Sequence, residues 1–262
     1  MPSLYAHYRF GTQVLELLPA DVRQPIQRFR GLYDIGLHGP DFFFYHSYLT
    51  ETPVVRLGTQ IHDQTGQEFF TRSCDRLRQE PSEAALAYLY GMLAHYCLDS
   101  ICHPFVYANT DAGPVAHSAL EVDFDRHLLT LDGCEKPYTY DNAAHLKLHH
   151  DSYAIIAGFY PSATPEQISR CIRSMNVATR LLATPSPALR GVVSGFLRLA
   201  SADVQGMLMP KEPNPACAAF IGPMMQLYNQ ALDRYPAYLE QLCSHLTYNA
   251  PLGDIFQKTF NK

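Results

Sequence analysis

Apolar residues along this chain recur mostly at spacings of three and four, and period-two alternation is nowhere sustained. The pattern predicts an all-α fold. Phe10 to Leu18 reads as a short helix stopped near Pro19. A second runs from an Asp21 cap toward Arg30. Residues 31–48, with three glycines and one proline, read as a loop with an aromatic end. Helix resumes from Val55 to Leu77. Pro81-Ser82-Glu83 marks the start of a long apolar helix, which Pro104 should end near Cys102. Further helices are expected over His117–Leu131, Asp141–Gly158, Thr164–Leu182, Ala188–Met207 and Ala219–Tyr248. Pro210, Pro213 and Pro215 mark an extended connection. The stretch beyond them is too short to fold alone, so residues 1–262 read as a single domain.

The long apolar helix carries a contradiction. His95, Asp99 and His103 recur every four residues along it. Residues four apart on an α-helix lie within ~40° of each other, so the three side chains share one face over ~12 Å of axis. An aspartate in an apolar helix is costly unless something positive satisfies it. A divalent metal does so, and imidazole nitrogen with carboxylate oxygen is a donor set that zinc accepts. Asp99 sits midway and has two oxygens, as a bridge between paired metals requires. His117 and Glu121 repeat the i, i+4 spacing on the next predicted helix. Asp41 follows Gly-Pro and precedes three phenylalanines, while His62 and His7 are isolated histidines.

Composition narrows the function classes. The 262 residues are 47% hydrophobic and only 17% charged, with a formal net charge of −5. No basic patch suits nucleic acid, so no nucleic-acid partner is expected. No segment reaches the roughly 18 apolar residues of a membrane span, and the N-terminus lacks the apolar region of a secretory signal. A cytoplasmic location is expected on that basis. The seven cysteines form no C-x-x-C pair and read as small buried hydrophobes. There is no Gly-rich phosphate loop, G-x-S-x-G elbow or H-E-x-x-H signature.

Taken in order, AHYRFG, GPDFFFY, LGTQIH, AHYCLDSICHPFV and HSALEVDFDRHLL resemble the bacterial zinc-dependent phospholipase C family, which is related to the fungal single-strand nucleases. The resemblance covers about the first 130 residues, leaving the helices of 131–262 to complete the core. It implies a multi-helical domain with two to three zinc ions in a central cleft. By analogy Asp41, His62, His95 and Asp99 hold the first ion, and His103, His117 and Glu121 the second. The third falls to His7, Asp99 and the N-terminal amine and carbonyl, with Pro2 exposed if Met1 is removed. Asp41 matches the family's general base, and Phe42 the aromatic of its head-group pocket. One departure is that Pro104 follows His103, whereas the family places a proline before the later histidine.

The implied activity is metal-dependent hydrolysis of a phosphate ester, with cleavage of a phospholipid head group first and peripheral membrane contact as a corollary. A phosphomonoesterase or nuclease on the same site is the first alternative, and a non-catalytic metal-binding protein the second. His38, His46, His127, His145, His149, His150 and His245 are assigned no ligand role, and Asp123 and Asp125 are expected to be solvated or to support the ligands from behind.

Overall fold

The computed structural model describes residues 4–47, 50–111, 113–199 and 202–261, without the side chain of residue 203. Among these residues there is no β-strand, and one isolated bridge pairs Thr65 with Thr259. The first helices are α1 (Leu4–Leu17), α2 (Ala20–Arg28) and α3 (Arg30–Gly36), followed by a 3₁₀ turn at Asp41–His46. Next come α4 (Pro53–Asp63), α5 (Gly66–Gln79), α6 (Glu83–Thr110) and α7 (His117–Leu131). The rest comprises α8 (Ser152–Ala157), α9 (Pro165–Leu182), α10 (Pro187–Leu197), α11 (Ala202–Gly206) and α12 (Ala218–Tyr248). The all-α expectation holds, and α7 has the bounds its periodicity predicts. One apolar cluster runs from Leu4 to Phe260, so both halves of the chain share it.

Helix α6 is the axis of the molecule, with α1, α2, α3 and α12 packed around it. It starts where predicted, with the Ser82 hydroxyl accepting from Ala85 N–H at 3.2 Å. It does not stop at Pro104 but continues to Thr110. Proline lacks the N–H that would bond the Ser100 carbonyl. Lys258 Nζ lies 3.5 Å from that carbonyl and replaces part of the lost bond. The continuation keeps His103 on the helix that carries His95 and Asp99.

Local chemistry accounts for the other departures. The helix expected over Val55–Leu77 is two helices, because Thr65 and Glu68 form a capping box that starts α5 afresh. α1 begins at Leu4 rather than Phe10. The Asp125 carboxylate accepts from the N–H groups of Tyr5 and Ala6 at 2.9 and 2.8 Å, serving donors that the helix itself leaves unpaired. Asp21 sits in the first turn of α2 and does not cap it. Only Ser152–Ala157 of the stretch 141–158 is helical. Upstream, Asp141 Oδ1 accepts from Ala143 N–H at 3.0 Å, a turn that competes with helix. The predicted Ala188–Met207 helix is the separate α10 and α11.

Part of the expected loop at 31–48 is helix α3, and the reason is tertiary. Gly36 and Gly91 let α3 and α6 touch backbone to backbone: a Cβ on Gly91 would lie 2.3 Å from the Tyr33 carbonyl oxygen. Gly39, at φ 48°, then turns the chain back toward α6, and a Cβ there would collide with the His95 ring.

The close approach sets a test. Gly91→Ala would gain up to ~1 kcal/mol of helix propensity in an open helix. Here it forces two backbones apart, at a cost of roughly 1–3 kcal/mol. The denaturant midpoint of the metal-free protein should fall. A midpoint that holds or rises would contradict the packing.

Candidate metal centre

All eight predicted ligands converge, and all are buried. His7 comes from α1, Asp41 from the 3₁₀ turn and His62 from α4. His95, Asp99 and His103 come from α6, and His117 and Glu121 from α7. Potential ligand atoms fall into three triads: Asp41, His62 and His95; His7, His95 and Asp99; and His103, His117 and Glu121. Within each, these atoms all lie within 4.8 Å of one another. Met1–Ser3 lie outside the described residues, so the implied N-terminal amine and carbonyl are not placed.

The imidazoles are oriented in a common way. His62 Nδ1 is 2.7 Å from the Gly58 carbonyl, His95 Nδ1 is 3.3 Å from that of Leu37, and His103 Nδ1 is 2.8 Å from that of Phe260. A carbonyl oxygen only accepts, so each Nδ1 carries the proton and donates it. In the neutral ring, Nε2 then presents a lone pair. These nitrogens face carboxylates: His62 to Asp41 Oδ1 at 2.9 Å, His95 to Asp99 Oδ2 at 3.0 Å, and His103 to Glu121 Oε1 at 3.3 Å. His117 Nε2 joins the last pair at 3.1 Å. Lone pairs aimed at carboxylate oxygens repel unless a proton or cation sits between them.

Asp99 has the disposition of a bridge. Its Oδ1 faces His7 at 3.2 Å and its Oδ2 faces His95, while the two imidazoles stack with centroids 4.5 Å apart. A small cavity of about 20 Å³ opens between His7 and Asp99 on one side and His103 and Glu121 on the other. That volume suits one water or ion.

Electrostatics point the same way. Burial pushes Asp99 up, yet His103, His95 and His7 hold it well below the usual carboxylate range. Glu121 is held at about 2 by His117 and His103 despite its burial. Burial lowers His103, but Asp99 and Glu121 outweigh it and raise the pKa to about 9. Even so, Nε2 of His62, His95 and His117, with Oδ2 of Asp99 and Oε2 of Glu121, remain buried without a partner at hydrogen-bonding geometry. Orphaned acceptors and lone pairs at one centre are what a cation satisfies, and the donor set suits zinc.

The structure adds supports that the sequence motifs did not reveal. Asp125 fixes the N-terminal end of α1, which carries His7. The C-terminal segment closes the centre: the Phe260 carbonyl orients His103, its N–H donates to the His62 carbonyl at 3.2 Å, and its ring contacts those of His62 and His95. His38 and His145, 107 residues apart, meet with their Nε2 atoms 2.6 Å apart. Phe42 is fully buried, with its ring against Phe43 and Tyr160. His149 and His150 are exposed. A groove of about 550 Å³, lined by Tyr107, Asp111, His117 and Ala202, reaches the third triad from outside.

No curated protein and no solved structure matches the chain. The model of the family described as zinc-dependent phospholipase C matches residues 6–174, beyond the stretch that carries the motifs. That span is more than half of the chain and contains every residue of the three triads. The chain therefore belongs to the zinc-dependent phospholipase C family.

Proposed function

We propose that the protein hydrolyses phosphate esters with zinc, and that its reaction is the phospholipase C cleavage of a phospholipid into diacylglycerol and a phosphorylated head group. One observation carries this reading: eight residues scattered over 115 positions converge with their lone pairs turned inward. Asp41, His62, His95 and Asp99 would hold one ion, and His103, His117 and Glu121 another. His7 and Asp99 would contribute to a third. Bound zinc supplies Lewis acidity, which acidifies water and neutralises charge on phosphate oxygens.

The chain's own residues supply the rest. The carbonyls of Gly58, Leu37 and Phe260 fix each imidazole's tautomer and direction. Asp41 accepts the proton of the attacking water, as its counterpart in the family does. Phe42, within the core, holds the turn that bears Asp41. The apolar walls at Leu98, Val106 and Phe124 keep bulk water from the inner cavity. The outer groove beside His117 is where a substrate phosphate would enter.

Zinc-loaded protein should release phosphocholine from dispersed short-chain phosphatidylcholine, and chelation should abolish the release. Asp41→Asn should lower kcat by two orders of magnitude or more. Wild-type rates on phosphomonoesters that exceed those on phospholipid would overturn the substrate class. Equal kcat in Asp41→Asn would remove Asp41 from the chemistry.

A second expectation concerns pH. In the metal-free chain His103 keeps its proton to about pH 9. The stabilisation from that proton is complete below the unfolded value of ~6.5 and is lost as pH rises through 9. Zinc must displace the proton. Binding at pH 7 should therefore release protons into weak buffer, and apparent affinity should rise with pH, levelling above about 9. Affinity independent of pH between 7 and 9 would contradict the assignment of His103 as a ligand.

A further inference from the structure

Helix α10, PALRGVVSGFL, has no acidic residue, and its apolar stripe faces outward. Leu189, Val192 and Phe196 recur at helical spacing, and Leu199 follows just beyond the last turn. Val192, Phe196 and Leu199 are 68%, 70% and 87% exposed. Only Val193 is buried from this helix. Single exposed apolar residues are ordinary, but a row of three on one short helix with a fourth just beyond it is not.

Charge along this part of the sequence is equally uneven. Residues 167–202 hold five arginines and no acidic residue or lysine, in a chain whose net charge is −5. A groove of about 490 Å³ runs between α10 and the segment 205–211. Arg190, Arg198 and Lys211 line it, and no carboxylate does. Arg190 donates to the Met209 carbonyl through Nη2, while its Nη1 is buried without a partner.

We infer that α10 docks the protein on an anionic phospholipid surface, with Val192, Phe196 and Leu199 entering the interface and the exposed Arg198 and Lys211 facing lipid phosphates. An amphipathic helix with cations beside its apolar face binds in this way. The placement also suits substrate delivery. α11 follows α10 and packs on α7, and its Ala202 lines the groove that contains His117. That purpose rests on the phospholipase reading, whereas the docking itself does not.

The test is co-sedimentation of the zinc-loaded full chain with vesicles of phosphatidylcholine, with and without phosphatidylserine. Wild type should pellet with the anionic vesicles. V192S/F196S, both at exposed positions, should bind at least about tenfold more weakly while keeping the wild-type thermal transition and its rate on dispersed short-chain substrate. R198Q/K211Q should lose roughly fivefold per charge on anionic vesicles and little on phosphatidylcholine alone. If wild type binds vesicles in this pattern but cleaves no dispersed phospholipid, the docking stands and the phospholipase reading fails. Wild type left in the supernatant would overturn the inference. So would V192S/F196S binding as wild type does, or light scattering that shows a dimer dissolved by those substitutions.

Discussion

Three carboxylates and five imidazoles share one apolar interior, and much of the structure serves to make that tolerable. Asp41, Asp99 and Glu121 are each buried, a placement that costs several kcal/mol per ion without compensation. Protons on the histidines offset part of this, as the raised His103 pKa shows. They do so incompletely, because carbonyls already occupy the Nδ1 protons of His62, His95 and His103, and several inward-facing atoms stay unpartnered. Divalent cations satisfy carboxylates and lone pairs together. A bound cation is thus an electrostatic requirement of this core, whatever chemistry it serves.

The surrounding elements follow from that requirement. Gly36 and Gly91 bring α3 against α6, and Gly39 swings Asp41 toward His95. Asp125 holds the start of α1 and so places His7. The last described residues cross the first half of the molecule, where Phe260 joins His62, His95 and His103 through backbone and ring. Removing the tail would therefore disturb ligands some 160 to 200 positions earlier in the sequence.

The helices and the ligand set were legible in sequence to the extent that local spacing governs them. His95, Asp99 and His103 declare a shared face through the four-residue repeat, and His117 and Glu121 do likewise. Asp41, His62 and His7 carry no such local signal and came only through order and resemblance. Tertiary causes were hidden. Pro104 reads as a stop because nothing local announces Lys258 at the Ser100 carbonyl. Residues 31–36 read as a loop because glycine's advantage there is contact with another helix. For Asp125 the choice between solvation and support of the ligands stayed open, because its partners are backbone groups 119 and 120 positions away. The His38–His145 pair, formed across 107 positions, is likewise invisible to periodicity.

The most direct measurement is the metal content of purified protein by plasma mass spectrometry, with wild type beside Asp99→Ala. Asp99 faces His7 with one oxygen and His95 with the other, so its loss should disable the centre at its middle. The account predicts two to three zinc ions per chain, falling to one or none in the variant. One metal or none in wild type, unchanged by the substitution, would contradict it.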